Sequence, residues 1–170
     1  MRSNLTEPNK TEFVRLIQEN KGIIFKVCTT YCNNKPDLDD LSQEIVYNLW
    51  KSYNTYNADL KFTTWMYRIA LNVAISFYRK DRKSRNKVPF TESLMEFEEP
   101  AATDSQAETQ LNLLRQFINE LKEIDKSIML LYLEDKSYRE IAEITGISET
   151  YVATKINRIK LNLRAKFQNT

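Results

Sequence analysis

Histidine is absent from this sequence, and glycine and cysteine are scarce. The 170 residues include no His, 2 Gly, 2 Cys and 4 Pro. Without histidine, the chain has neither a Ser-His-Asp or Cys-His catalytic centre nor a His-ligated metal site. Two glycines are too few for a Walker loop or a dinucleotide loop, because phosphates approach the backbone at closely spaced glycines. The sequence therefore predicts no cofactor and no familiar catalytic centre.

Long apolar runs and further thiols are also missing. The first ten residues are polar, and the longest apolar run, Ile128–Leu133, is too short to cross a bilayer. We therefore expect no signal peptide, no membrane insertion and a cytoplasmic location. Cys28 and Cys32 share one face of a predicted helix. They could form a redox pair, supply half of a thiolate metal site, or be buried as small apolar residues. The last interpretation is favoured, because no other Cys or His could complete a metal site.

Charge is unevenly distributed, although the net charge is only +2. Residues 60–87 hold eight basic side chains against one acid, and residues 88–106 hold five acids and no base. Residues 148–170 again hold five bases against one acid. Two basic segments separated by an acidic one indicate two polyanion-binding surfaces on a tether. The alternative for each run is an ordinary solvated helix face.

The composition and the positions of the prolines predict an all-α fold of two small helical domains. Few Gly and Pro with many Leu, Ile, Lys and Glu favour helix throughout. Residues 88–106 lack helical periodicity and contain two of the prolines, so they are predicted to form a flexible acidic linker. The domains are then residues 9–87 and 107–168. A capping box at 103–106 would start the second domain.

Within the first domain, apolar periodicity predicts three helical stretches. We expect a helix break around Gly22, a helix capped by Asp37, a loop over residues 52–60 and a long helix from Phe62. The long helix has a polar and basic stripe beside its apolar one, formed by Trp65, Arg68, Asn72, Ser76 and Arg79. Because such a stripe is not typical of a buried face, we expect it to be exposed and available for binding.

Ser137–Lys160 has the pattern of a helix-turn-helix motif. Ser137 and Glu140 form a capping box, Gly146 ends the first helix, and Ser148 caps the second. The second helix would present short side chains to base edges and basic ones to phosphates. An ordinary helical hairpin is the alternative. DNA binding is favoured because a small residue, the Gly, the cap and a basic second helix occur together.

Three phrases of the sequence resemble one family, the extracytoplasmic-function sigma factors of bacterial RNA polymerase. SYREIAEITGISETYVATKINRIKLNLR is similar to the family's region-four helix-turn-helix. DLDDLSQEIVYNLW is similar to its region-two helix that binds polymerase, and FTTWMYRIALNVAISFYRK to its promoter-melting helix. The resemblance extends from about Phe13 to Phe167. The sequence departs from the family pattern at Ser76, where the family commonly has an acidic residue. The resemblance therefore does not define the exact contacts to promoter bases.

The resemblance implies a non-enzymatic initiation factor. Its partners would be core RNA polymerase, promoter DNA as duplex and as melted single strand, and an anti-sigma factor, and the acidic linker would thread the polymerase channel. The core-polymerase-binding residues implied are Asp40, Leu41, Gln43 and Glu44, and of these Leu41 would lie, like Trp50, at or behind the contact. The minus-ten residues implied are Phe62, Trp65, Arg68, Asn72, Arg79, Lys80, Arg82 and Lys83. The minus-thirty-five residues implied are Thr150, Tyr151, Ala153, Thr154, Lys155, Asn157 and Arg158.

Two other function classes stay open from the residues alone. A conventional helix-turn-helix regulator would use the first domain as a sensor or dimerisation bundle and would bind a palindrome without polymerase. A scaffold bundle would bind only protein. The aromatic and basic stripe counts against the first, and the basic second helix of the motif counts against the other.

Overall fold

Helices account for nearly all of the regular structure. The computed structural model describes residues 9–85 and 106–169, in which no strand occurs. The linker prediction and the capping box at 103–106 lie wholly or largely outside these residues. The all-α prediction is confirmed. The helices of the described segments are α1 Lys10–Glu19, α2 Lys21–Tyr31, α3 Lys35–Ser52, α4 Phe62–Arg85, α5 Gln106–Glu120, α6 Glu123–Leu133, α7 Tyr138–Thr145 and α8 Glu149–Gln168.

The first unit is organised around α4, which packs against α2 and α3. Leu41, Ile45 and Leu49 recur every four residues on α3 and are fully buried, as expected for the apolar face of an amphipathic helix. A 3-10 turn at Tyr53–Thr55 follows α3 and leads the chain back towards α4. Cys28 and Cys32 form no disulfide and are both buried in the apolar cluster of the core, in agreement with the favoured interpretation.

One helix cap differs from the sequence prediction. The break between α1 and α2 falls at Asn20, close to the predicted position around Gly22, and the Asn20 side chain donates a hydrogen bond of 2.9 Å to the carbonyl of Leu16. The cap of α3 is Asn34 rather than Asp37. The side chain of Asn34 accepts a hydrogen bond from the backbone N–H of Asp37 at 2.9 Å. Asp37 therefore lies inside the first turn, where the helix dipole still favours an acid.

The helix-turn-helix motif is present as predicted. The backbone N–H of Ser137 donates to Glu140 at 2.8 Å, and the N–H of Glu140 donates to the Ser137 hydroxyl at 3.2 Å. Gly146 ends α7 with a left-handed backbone, φ +76°. Such a conformation is unfavourable for residues that carry a Cβ. Ser148 caps α8 by accepting the N–H of Tyr151 at 3.1 Å.

The two units pack directly against each other. Helix α6 contacts α2 and α4, and α7 contacts α4. Buried side chains of both units, among them Met66 and Leu131, belong to one apolar cluster. No helix in the described parts of the chain is long and apolar enough to span a membrane. The sequence predicted the two units, but it contained no sign of their contact.

Candidate functional site

An acidic edge on α3 is the first candidate surface. Asp40, Gln43 and Glu44 are exposed there, and they lie on neighbouring turns of the helix. Leu41 differs, because its side chain is fully buried in the core. It can only support the surface from behind, which is one of the two positions that were expected for it.

Beside this edge, an apolar groove of about 500 Å³ runs between α1 and α3. Val14 and Tyr47 at its walls are 41% and 62% exposed. Trp50 at its floor is half-buried and packs edge-on against Phe13, with 5.0 Å between ring centroids. The sequence contained no signal for the groove, because its two walls are formed by α1 and α3, and these helices are separated along the chain by α2. Its lining consists of Lys10, Phe13, Val14, Ser42, Gln43, Val46, Tyr47 and Trp50.

The beginning of α4 holds an aromatic cluster instead of an exposed stripe. Trp65 is only 8% exposed. Its ring centroid lies 5.1 Å from that of Tyr56 and 5.3 Å from that of Phe62. The predicted exposure of Trp65 is therefore wrong, because the segment after α3 folds back over this turn. Phe62 remains half-buried at the edge of the cluster, whereas Tyr67 is 3% exposed and belongs to the core.

Farther along α4, the predicted stripe divides into free and engaged residues. Asn72 and Ser76 are exposed. Arg68 is half-buried, and its Nε donates a hydrogen bond of 2.9 Å to the backbone carbonyl of Glu143 on α7. Arg79 lies with its Nε 3.5 Å from Oε1 of Glu123 on α6. Two residues expected to face DNA are thus in contact with the second unit.

Electrostatics strengthen the contact at Glu123. A hydrogen bond from its own backbone N–H lowers the pKa of the Glu123 carboxyl, and Arg79 lowers it further. The carboxylate is therefore charged where it meets Arg79. Past this pair, Lys80, Arg82 and Lys83 are exposed on the last turns of α4. Their density of positive charge suits nucleic-acid phosphates.

The second helix of the motif, α8, presents a polar face near its start. Thr150, Tyr151, Thr154, Asn157 and Arg158 are exposed there, and Ala153 is half-buried. Val152 and Ile156 are fully buried on the opposite face and anchor the helix. This is the arrangement that a helix needs in order to enter a major groove.

Lys155 departs from that arrangement. Its Nζ lies 3.0 Å from Oδ1 of Asp125 on α6, and its side chain is only 17% exposed. The hydrogen bond to Asp125 raises the pKa of Lys155. The side chain is therefore held against the protein in this structure, unlike the exposed residues around it that were also predicted to contact DNA. Among the described residues, no cluster of Cys, Asp and Glu suited to a metal ion occurs.

Comparison with known proteins identifies both units. A family model described as sigma-70 region 2 matches residues 16–84. A second, described as sigma-70 region 4, matches residues 111–163. Because the first match covers the N-terminal unit, a regulator with a sensor bundle in that place is not supported.

Whole-chain comparisons agree with the two family models. RNA polymerase sigma factor SigV of Bacillus subtilis is 29% identical over 153 residues, which is 89% of each chain. RNA polymerase sigma factor YlaC of the same species is 31% identical over 129 residues, which is 74% of each chain. The fold is similar to that of sigma factor RpoE, solved with the anti-sigma factor NepR from Bartonella quintana. The TM-score is 0.68 and the identity 17%, over 92% of this chain and 97% of that one.

The chain therefore belongs to the extracytoplasmic-function group of sigma-70 factors, which bind core RNA polymerase and direct promoter-specific transcription initiation without enzymatic activity of their own.

Proposed function

We propose that the two units serve different promoter elements, with residues 9–87 binding polymerase and opening the minus-ten element, and residues 107–168 reading the minus-thirty-five element. Residues 88–106 would connect them through the polymerase. The observation that carries this proposal is the pair of separate nucleic-acid surfaces. One is the capped helix-turn-helix with its exposed polar face on α8, and the other is the exposed basic end of α4.

For polymerase binding, the proposed contacts are Asp40, Gln43 and Glu44, with the α1–α3 groove beside them. Exposed acids next to an apolar groove fit a partner that presents basic and apolar side chains together. An anti-sigma factor is proposed as a further partner, by analogy with the RpoE–NepR complex. A cytoplasmic location is proposed because bacterial polymerase and promoter DNA are there.

For promoter opening, Asn72 is the proposed contact to an unpaired base. Flipping a base out of the stack costs a few kcal/mol, and the protein must offset that cost. Stacking on an aromatic ring contributes about 1–3 kcal/mol per base, and half-buried Phe62 is proposed for this role. Trp65 is proposed to position Phe62 from behind. Lys80, Arg82 and Lys83 would bind the backbone phosphates beside the melted segment.

For minus-thirty-five recognition, the proposed contacts are the exposed side chains at the start of α8. Thr150, Thr154 and Asn157 offer hydroxyl, methyl and amide groups of the kinds that read base edges. Arg158 would bind a phosphate and so set the register of the helix. Tyr151 and Ala153 would complete the surface, and Lys155 would stabilise α8 rather than contact DNA.

Run-off transcription with purified core polymerase tests the proposal. The chain should produce promoter-dependent transcripts, and Asn72→Ala should reduce opening about tenfold, as expected for the loss of a base-binding hydrogen bond. Permanganate reactivity of unpaired thymines measures the opening itself. Asn162→Ala removes the same amide from an exposed position near the end of α8 and should behave as wild type. The absence of promoter-dependent transcripts over a broad template set would overturn the proposal.

A further inference from the structure

Three side chains of the second unit form a short series of contacts that ends on the DNA-facing surface of α8. Asp125 lies in the first turn of α6, Lys155 lies in the second turn of α8, and Tyr151 lies one turn before Lys155. The ammonium nitrogen of Lys155 lies 3.0 Å from Oδ1 of Asp125 and 3.4 Å from its Oδ2. The same nitrogen lies 5.5 Å from the ring centroid of Tyr151, which is within the range of a cation–π contact. Lys155 therefore connects a carboxylate on α6 to an aromatic ring on α8.

Exposure to solvent increases along this series of contacts. The side chains of Asp125 and Lys155 are 14% and 17% exposed, whereas Tyr151 is 44% exposed. The hydrogen bond to Asp125 is the main cause that raises the pKa of Lys155, and Tyr151 raises it further, so the ammonium group is charged. A lysine in water moves among many rotamers. Here the carboxylate holds the ammonium group in one place beside the ring.

The backbone of Tyr151 is held in place as well. Its N–H donates a hydrogen bond of 3.1 Å to the hydroxyl of Ser148, the cap of α8. The next residue, Val152, is fully buried and anchors this turn of the helix in the core. Tyr151 is thus ordered through its backbone by the cap and through its ring by Lys155. A side chain that is ordered before it binds loses less entropy on binding, so its contact with a partner is stronger.

Tyr151 also has the largest apolar group among the residues proposed to contact the minus-thirty-five element. It is the third residue of α8, and the first residues of a recognition helix contact base edges in the major groove. Its exposed neighbours Thr150 and Thr154 are small. An apolar side chain in the major groove recognises thymine by the methyl group on its C5 atom. An ordered ring at this position is therefore suited to thymine.

We propose that Tyr151 contacts the methyl group of a thymine in the minus-thirty-five element, and that Lys155 and Asp125 are positioning residues that hold its ring for this contact. The inference rests on the function proposed for α8. It does not depend on the packing of the two units, because all three residues lie within the match to sigma-70 region 4. Lys155 differs in this role from Arg158, since its ammonium group is paired inside the protein and does not reach a phosphate.

Replacement of thymine by uracil, which lacks only the methyl group, tests the proposal. The wild-type holoenzyme first selects a minus-thirty-five segment from a randomised duplex library, and each thymine of that segment is then replaced in turn. At one position the wild type should bind the thymine duplex about fourfold more tightly than the uracil duplex, as expected for one buried methyl group. Tyr151→Ala should bind the two duplexes equally. Lys155→Met should reduce the ratio to below about twofold, and Lys155→Arg, which keeps a cation between the carboxylate and the ring, should restore it.

Two further variants separate positioning from a general loss of stability. Lys155→Met leaves the carboxylate of Asp125 without its partner, so a double variant with Asp125→Asn removes both charges together and buries no unpaired charge. The double variant should lose the preference for thymine to the same extent, with unchanged helix content by circular dichroism. Lys160→Met is the matched control, because Lys160 lies on the same helix with its Nζ 4.4 Å from the ring centroid of Tyr132. It should keep the wild-type ratio.

The salt dependence of binding separates positioning from direct contact. Lys155→Met should leave the slope of log affinity against log salt unchanged, whereas the loss of a phosphate contact would reduce it by about 1. A reduced slope, a wild-type ratio in the folded double variant, or an equal loss in Lys160→Met overturns the positioning role. Equal binding of thymine and uracil by the wild type at every position overturns the role of Tyr151. A holoenzyme that selects no minus-thirty-five segment overturns the proposed function itself, and this inference with it.

Discussion

The ammonium group of Lys155 lies 3.0 Å from Oδ1 of Asp125, which ties the second helix of the helix-turn-helix to α6. Both side chains are mostly buried, at 17% and 14% exposure. Position 155 comes three residues after buried Val152 and just before buried Ile156, so helical periodicity turns it towards the core. The basic residues of α8 are therefore divided between a lysine that pairs with Asp125 and exposed groups that are proposed to face DNA.

Removal of the carboxylate from this pair should destabilise the protein. Asp125→Ala should lower the free energy of unfolding by about 1–3 kcal/mol, because it leaves the partly buried Lys155 without its partner. Glu120→Ala is the control, since Glu120 pairs with Lys166 at an exposed site and should change stability by less than about 1 kcal/mol. Urea titrations of the three chains measure the difference. Equal losses for the two variants would contradict the structural role of Asp125.

The aromatic cluster at the beginning of α4 leads to a second stability prediction. Trp65→Ala should lower the free energy of unfolding by about 3 kcal/mol, as large-to-small substitutions in a core do. Asn72→Ala, on the exposed side of the same helix, should stay within about 0.5 kcal/mol of wild type. Urea unfolding followed by circular dichroism measures both. A Trp65 variant as stable as wild type would show that the ring is not part of the core.

Local rules were sufficient to predict the helix-turn-helix. The caps at Ser137 and Ser148 and the left-handed turn at Gly146 each depend on side-chain and backbone groups within three or four residues. Such contacts can be predicted from the residue types in a short stretch of sequence. Burial of Leu41 also followed the four-residue period that it shares with Ile45, and only the family resemblance placed it at the polymerase contact.

Tertiary contacts explain the residues that the sequence misplaced. Trp65 looked exposed because it shares a helical face with polar residues, but the chain at Tyr56 folds over it. Arg68 is engaged by a backbone carbonyl 75 residues away in the chain. Because every residue has a backbone carbonyl, the sequence does not show which carbonyl a distant side chain will bond. The contact between the two units could therefore be found only from the three-dimensional structure.

The two glycines should respond in opposite ways to alanine. Gly146 has φ +76°, so Gly146→Ala should cost about 1–2 kcal/mol of stability through backbone strain. Gly22 lies in the first turn of α2, and an added Cβ would meet no atom within 4 Å. Gly22→Ala should therefore stabilise the chain by about 0.5 kcal/mol, because it restricts the unfolded state. Thermal unfolding of the pair checks the signs, and shifts in the same direction would contradict the account.

The buried thiol of Cys28 predicts slow chemical modification. Burial raises the pKa of the Cys28 thiol to about 11. At pH 8 only about one thiol in a thousand is then the reactive thiolate. A thiol-specific reagent should modify Cys28 and Cys32 rapidly only when the chain is unfolded in urea. Modification of the folded chain at the unfolded rate would show that these residues are accessible.

The same thiol predicts a loss of stability in alkali. Because the pKa of Cys28 is higher in the folded chain than in the unfolded one, folding favours the protonated form. Its contribution to stability is complete below about pH 8.5 and is lost as the pH rises towards 11. The free energy of unfolding should thus fall between pH 8 and pH 10. Cys28→Ala should show a smaller fall over this interval, and an equal fall would assign the effect to other groups.

Arg158 and Thr154 should affect DNA binding in distinguishable ways, although both are exposed on α8. Arg158→Ala should weaken binding of the holoenzyme to every promoter duplex and reduce the slope of log affinity against log salt by about 1, because it removes a phosphate contact. The Thr154 hydroxyl donates to the carbonyl of Thr150 at 2.9 Å, which leaves its methyl group and lone pairs for a base edge. Thr154→Ala should therefore alter the preference between promoter sequences and leave the salt slope unchanged. Titrations between 50 and 200 mM salt measure both effects, and an unchanged slope for Arg158→Ala would exclude a phosphate contact at this residue.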